Sequence, residues 1–314
     1  MTSTESDTFD TGAGRCAVWV TAPTGPGPHP AVLLIHGLGA THEMALLNYE
    51  RWFSEAGMVV VSFDYRFNGA SPGTPRQVIR VKNLLADVDA ALDFTQALPA
   101  VDPTRVALWG TSFGASHAMT IAARRQDVAA VVLNCPMIDG RNAALRLGVR
   151  HIAKLFWPIT SDLIRSAIRP VGKIAPRYVP IVAEPGDFAL IDTPGAKQGW
   201  YSLLPPDTNW DNRCTAAIAV DLLGYRAVCA APLIRCPMLV CVSDNENLMD
   251  PAISVQAAQA APRGRAVHYP ADHFQVYHPP LVDRVIADQL AFLRETLAIA
   301  VSQSTSQPIA APHE

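Results

Sequence analysis

Arg105-Val-Ala-Leu-Trp-Gly-Thr-Ser-Phe-Gly-Ala-Ser-His-Ala-Met119 decides how this chain reads. Residues 106–109 are an apolar run with the length and composition of a buried strand. The run meets Gly110-Thr-Ser-Phe-Gly114, after which Ala115, Ala118, Met119, Ile121, Ala122 and Ala123 describe a helix of small residues. A strand feeding a helix through Gly-x-Ser-x-Gly is the setting of a nucleophile elbow. Such a turn leaves room only for glycine on either side of the serine. It pushes the serine Oγ out at the top of the sheet, where the first N–H groups of the helix point as well. Five letters alone are a weak signal, and an ordinary glycine-rich strand–helix turn is the alternative until partners for Ser112 are found elsewhere.

Outward from this turn, the chain alternates strands and helices. Residues 31–35 read as a buried strand ending in His36-Gly-Leu-Gly39, residues 48–56 as a helix stopped by Gly57, and residues 58–63 as a strand ending at Asp64. Apolar residues recur at helical spacing over 78–98, residues 101–104 are a turn, and 128–133 form a further strand. Each strand is apolar throughout. That predicts an α/β fold with a mostly parallel sheet covered on both faces by helices. Near the start, residues 9–21 predict a short hairpin turning at Asp10-Thr-Gly12, and residues 1–8 read as disordered.

The alternation breaks between Asp139 and Ala230. There Leu145, Ile152, Leu155, Phe156, Ile159, Leu163, Ile164 and Ile168 predict one or two amphipathic helices with an apolar face. A Pro/Gly-punctuated stretch with Tyr178, Phe188, Trp200, Tyr201 and Trp210 follows. Sheet architecture resumes with a strand at 237–242, a helix at 252–261, a strand at 265–269 and a last helix at 281–297. The domain reading is therefore a core of residues 1–138 and 231–300, an insertion at 139–230, and a disordered tail at 301–314. An insertion so placed sits over the C-terminal ends of the strands, where open α/β sheets bind ligands. It reads as a lid over Ser112 with an apolar pocket beneath; a packed subdomain without contact to the site is the alternative.

With 314 residues, 49% hydrophobic and 17% charged, the chain is globular and large enough for a substantial core. A net charge of -3 gives no reason to expect nucleic acid or an anionic membrane as partner. No apolar run approaches the ~18 residues of a membrane span. The acidic Met1-Thr-Ser-Thr-Glu-Ser-Asp7 lacks the basic and apolar regions of a signal peptide, so cytoplasm is the default. Cys135, Cys236 and Cys241 lie in or beside apolar strands, Cys16, Cys214 and Cys229 are scattered, and no pair has metal-ligand spacing. Free thiols are expected, with no disulfide framework, no metal and no cofactor. A homodimer stays open.

A serine hydroxyl needs a base to take its proton and a carboxylate to orient that base. Of the histidines, His36 opens a turn at a strand end, His117 is too near Ser112 on the elbow helix, His151 lies in the insertion and His268 within a strand. His273, in the loop between the last strand and the last helix, is the candidate base, with His278 as fallback. For the acid, the loop after residues 237–242 offers Asp244, Glu246 and Asp250, and Asp139 follows the strand after the elbow. Spacing does not decide among the four. An oxyanion hole needs two backbone N–H groups aimed at one point. Phe113 supplies one, and Leu38 the other, flanked by glycines that let the backbone approach a substrate closely.

From residue 31 to 297 the chain resembles the α/β-hydrolases. His36-Gly-Leu-Gly39, Asp64-Tyr-Arg-Phe-Asn-Gly-Ala-Ser71, Gly110-Thr-Ser-Phe-Gly114 and Asp272-His-Phe274 fall in that superfamily's order. The similarity is to a lidded branch of serine esterases, dienelactone-hydrolase-like proteins, X-prolyl-dipeptidyl-peptidase-like proteins and polyketide acyltransferases. This resemblance implies Ser112 as nucleophile and His273 as base. It selects Glu246 as the acid, because members commonly place an Asp four or five residues before a Pro in that loop, and Pro251 follows. Glutamate there departs from the usual aspartate. Asp272 stands where a glycine commonly precedes the histidine, and two readings of it stay open: a carboxylate that raises the imidazole pKa, or a solvated loop charge. Ala115, where a glycine is frequent, should change little.

The expected activity is cleavage of an ester or thioester with an apolar acyl group through an acyl-Ser112 intermediate. The acyltransferase alternative hands the same acyl group to an alcohol or amine. A peptidase and a catalytically idle ligand-binding protein are the further alternatives.

Overall fold

The computed structural model describes residues 3–168 and 174–299. Eight strands form one sheet in the order β1 (Ser3–Asp10), β2 (Arg15–Ala22), β4 (Val59–Phe63), β3 (His29–Ile35), β5 (Val101–Thr111), β6 (Ala130–Asn134), β9 (Met238–Ser243), β10 (Gly264–Tyr269). From β4 to β10 every pairing is parallel; β1 and β2 add an antiparallel edge. The central strands are buried on both faces, which explains their unbroken apolar sequence. Alternate residues point to opposite sides. Leu33 and Leu108 thus pack toward α2 (Val81–Ala97) and α3 (Phe113–Arg124), whereas Leu34 and Trp109 pack toward α1 (Leu46–Glu55) and α9 (Leu281–Thr296). A buried polar relay joins α9 to the sheet: Trp109 Nε1 donates to Gln289 Oε1 at 2.8 Å, and Gln289 Nε2 to Asn134 Oδ1 at 3.1 Å.

Two expectations need correction. Residues 3–8 are not disordered but form most of β1, paired residue for residue with β2 from Ser3↔Ala22 to Asp10↔Arg15. Its Thr, Ser, Glu and Asp side chains are mostly exposed, so the strand rests on its backbone ladder and shows no apolar alternation. Residues 101–104 are not a separate turn. They begin β5, with Val101 opposite His29 and a register shift before Ala31↔Val106. The last stretch expected to be disordered, residues 301–314, lies outside the described residues.

Between β6 and β9 the chain leaves the sheet. It forms α4 (Gly140–Leu147), α5 (Val149–Ile168), a two-residue strand pair β7 (Tyr178–Val179) and β8 (Cys214–Thr215), α6 (Ala196–Ser202) and α7 (Ile218–Gly224). The helices predicted here exist, but their apolar residues are not all turned inward. Leu155 is buried, whereas Leu145, Phe156, Leu163, Ile164 and Ile168 are exposed. The segment is tied to the core by polar contacts. Arg80 Nε and Nη2 grip both Asp221 carboxylate oxygens at 2.7 and 2.9 Å, the Ile79 amide donates to Thr215 Oγ1 at 3.1 Å, and Tyr178 donates to the Arg76 carbonyl at 2.7 Å. After β9, α8 (Pro251–Ala260) leads to β10. The six cysteines are free thiols.

Candidate active site

Ser112 sits between β5 and α3 with φ 52° and ψ −122°, a left-handed backbone that L-residues adopt only under constraint. The constraints are visible. Its amide donates to the Asn134 carbonyl at 3.0 Å, and its carbonyl accepts from Met137 at 2.9 Å and Ala115 at 3.1 Å. A Cβ on Gly110 would meet the Gly114 carbonyl oxygen at 2.6 Å, and one on Gly114 would collide with the carbonyl oxygens of Ile35 and His36. Both glycines are therefore required by close backbone approach.

His273 follows β10 in the loop that leads to α9. Its Nε2 lies 2.9 Å from Ser112 Oγ, and its Nδ1 lies 2.8 Å from Glu246 Oε2. All three side chains are buried. Glu246 Oε1 accepts the Leu248 amide at 2.8 Å, which fixes the carboxylate rotamer. With Glu246 accepting, Nδ1 carries the proton and Nε2 presents its lone pair to the serine. The other carboxylates are engaged elsewhere. Asp244 pairs with His268 Nδ1 at the surface, Asp250 caps α8 through the Ala252 amide, and Asp139 caps α4 while pairing with Arg226 at 2.9 Å. Asp272 accepts the amides of Phe274 and Gln275 and so holds the turn that presents His273. His278 contacts Ser202 Oγ at 2.9 Å on the surface.

The remaining histidines near the sheet serve the scaffold. Burial lowers His36 to about 4 and His117 to about 3, so both stay neutral. The 3.8 Å approach of His36 Nε2 to Asp64 is thus no ion pair; its Nδ1–H donates to the Gly37 carbonyl at 3.0 Å. Burial pushes the Asp64 carboxyl up to about 6, against the pull of the Ala70 and His42 amides that it accepts. Asp64 thereby clamps the loop after β3 to the turn after β4.

Leu38 follows β3 beside the serine: a Cβ on neighbouring Gly37 would stand 3.2 Å from Ser112 Cβ. Phe113 is the first residue of α3. Among the described residues neither amide donates to a protein acceptor, and an N–H at a helix start is left over by the helix itself. Trp210 Nε1 donates to the Gly39 carbonyl at 2.7 Å, so the insertion holds the loop that carries Leu38. Nothing in the spacing of Trp210 announces this contact, which crosses 171 residues.

Two apolar cavities meet at Leu38. One lies over Ser112, walled by Met44, Trp200, Leu203 and Phe274. The other extends under the insertion, with Ala144, Leu147, Ile152, Leu155 and Leu222 on its walls. Beneath the serine, Thr111 Oγ1, Tyr277 Oη and Cys135 Sγ form a buried hydrogen-bonded cluster. Among the described residues no group of three or more His, Cys, Asp or Glu side chains could hold a metal ion.

Residues 26–283 match the hydrolase family described as Serine aminopeptidase, S33. The chain belongs to that family of α/β-hydrolases. It is 32% identical over 291 residues to the quorum-quenching protein AidA of Acinetobacter baumannii, covering 93% of this α/β-hydrolase and 94% of that protein. It is 30% identical over 172 residues to the polyketide transferase ATR5 of Stachybotrys chlorohalonatus, covering 55% of this chain and 52% of the other. The crystal structure of the α/β-hydrolase GrgF from a Penicillium species superimposes with a TM-score of 0.76 at 20% identity, covering 95% of this chain and 99% of that one, a likeness of fold.

Proposed function

We propose that this α/β-hydrolase is a serine hydrolase that cleaves esters or thioesters with an apolar acyl group. The observation that carries the reading is His273, bridging Ser112 and Glu246 by two buried hydrogen bonds of 2.9 and 2.8 Å. In the first half-reaction His273 Nε2 takes the Ser112 proton as Oγ bonds to the carbonyl carbon. The carbonyl oxygen, now an oxyanion, is received by the amides of Leu38 and Phe113. The imidazolium, balanced by Glu246, then protonates the departing alcohol or thiol as the C–O or C–S bond breaks. Water repeats the sequence on acyl-Ser112 and releases the acid. Residues 139–230 act as a lid that supplies part of the apolar walls, and the core of 1–138 and 231–300 supplies the three catalytic side chains together with Met44 and Phe274 of the wall.

The cavity walls favour esters over peptide N-termini. Among the described residues lining the two cavities there is no carboxylate to hold a substrate ammonium. A second reading, transfer of the acyl group to an alcohol or amine, draws on the dry walls over Ser112 and on the polyketide transferase relative. Intact-mass analysis after a fluorophosphonate probe, with p-nitrophenyl esters of rising chain length, tests both. A single adduct absent from Ser112→Ala and turnover rising with chain length support hydrolysis. An adduct with turnover only when an alcohol or amine is added supports transfer, and unchanged turnover in Ser112→Ala refutes both.

A further inference from the structure

Helix α5 carries apolar side chains on both sides. His151, Leu155, Pro158 and Asp162 are buried, whereas Val149, Phe156, Trp157, Leu163, Ile164 and Ile168 are exposed, Val149 by 83% and Trp157 by 68%. At 100° per residue the six exposed positions fall within an arc of about 140°, opposite the buried four. Leu145, 64% exposed on α4, belongs to the same exposed set. Apolar surface this concentrated marks an interaction site.

Its charge narrows the partner. The other large exposed side chains of α4 and α5 are Arg141, Arg146, Arg150 and Lys154, and neither helix exposes an acid. Asp162, the acidic residue within α5, is buried and accepts the amides of Arg177 and Ala217. The adjacent loop carries Glu184, already paired with Lys197, and Asp187. The chain's net charge of -3 averages this local excess away.

We propose that the outer face of α4 and α5 docks flat on an anionic phospholipid bilayer. A helix with bulky apolar residues on one side and Lys/Arg along its edge lies in the membrane interface, rings at headgroup depth and cations on the phosphates. Among the described residues no helix is long and apolar enough to cross a membrane, so the helix lies on the surface. A second copy of the chain fits this face less well. A two-fold interface sets one patch against itself, which would gather the cations of both copies with no exposed acid on either helix to balance them. The inner sides of the same helices form walls of the apolar cavity that reaches Leu38. Docking would therefore hold that cavity against the lipid phase.

The test is cosedimentation of the full chain with vesicles of phosphatidylglycerol and phosphatidylcholine in equal parts, against pure phosphatidylcholine. Each basic side chain near an anionic surface is worth about fivefold in partitioning, so a preference of at least about tenfold, weakened by salt, is expected. Trp157→Glu/Ile164→Glu should lower partitioning by at least about tenfold. Arg150→Glu/Lys154→Glu should abolish the preference for anionic vesicles, and Ser112→Ala should bind like the wild type, which separates docking from the proposed chemistry. Failure to sediment with either vesicle overturns the proposal. So does a dimer in sedimentation velocity that Trp157→Glu/Ile164→Glu dissociates while vesicles go unbound, since the face would then be a contact between copies.

Discussion

Replacing Glu246 with glutamine changes no volume but removes one acceptor. The carboxylate serves two donors, the Leu248 amide on Oε1 and His273 Nδ1–H on Oε2, each at 2.8 Å. A carboxamide has a single acceptor oxygen. If that oxygen stays with Leu248, its NH2 faces the imidazole, the ring proton moves to Nε2, and the lone pair that must receive the Ser112 proton is gone. If it turns to His273, the NH2 confronts the Leu248 amide, which leaves buried donors unpaired at a cost of about 1–3 kcal/mol. In both cases the imidazolium of the transition state loses its buried counter-charge. Orienting carboxylates of this kind are worth about 10⁴ in rate, or roughly 5.5 kcal/mol of barrier. The assay is the second-order rate constant for phosphonylation of Ser112 by a fluorophosphonate, which needs no knowledge of the natural substrate. Urea unfolding checks that the variant is folded. Asn at 244, 250 or 139 should leave the rate within about threefold, since those carboxylates touch neither His273 nor Ser112. A folded Glu246→Gln that reacts within tenfold of wild type would refute the assignment of the acid.

Further outcomes follow from other contacts. Gly114→Ala should destabilise by more than about 3 kcal/mol or prevent folding, because its Cβ meets backbone oxygens that cannot retreat; Gly37→Ala, with its nearest contact at 3.2 Å, should keep most stability and lower the phosphonylation rate instead. Trp210→Phe should cost about 1 kcal/mol in urea unfolding and about tenfold in kcat by releasing the Gly39 carbonyl; unchanged kcat would show that Leu38 is held without it. His117→Gln tests linkage: burial lowers His117 to about 3, below its unfolded value, so its neutral form stabilises the fold above pH ~6.5 and that stability is lost as pH falls. Relative to His117→Gln, wild type should lose about 2–3 kcal/mol between pH 7 and 4.5 in urea titrations, and parallel curves would refute the buried neutral state.

What could be read in advance depended on how locally each feature is encoded. The elbow is local: two glycines, a strand and a helix within 15 residues dictate the backbone of Ser112, and the apolar central strands announce their own double burial. His273 was legible from its place between the last strand and the last helix. Glu246 was not, since three carboxylates share one loop; only resemblance selected it, through the distance to Pro251. Strand β1 was missed because an edge strand with solvated Thr, Ser and Glu side chains has no apolar pattern to show. The helices of 139–168 were legible as helices, but periodicity carries no sign for which apolar side faces inward, and on α5 both sides are apolar. The Trp210–Gly39 contact depends on the tertiary path of a 171-residue separation, which no local pattern contains.

That single contact also bears on how the enzyme could be re-engineered. Ser112, Glu246 and His273 all sit at the ends of sheet strands, while Trp200, Leu147, Leu155 and Leu222 sit on the insertion. The proposed chemistry thus sits on the core and part of the cavity wall on the insertion, Met44 and Phe274 being walls of the core, and a transplanted insertion could reshape the cavity while leaving the proposed proton relay in place. Of the ties between the two, the indole that grips the Gly39 carbonyl reaches the loop beside Ser112. A chimera that lacks a donor at the place of Trp210 would leave the loop of Leu38 without that tether, so the seam of any such graft includes that hydrogen bond beside the Arg80–Asp221, Ile79–Thr215 and Tyr178–Arg76 contacts.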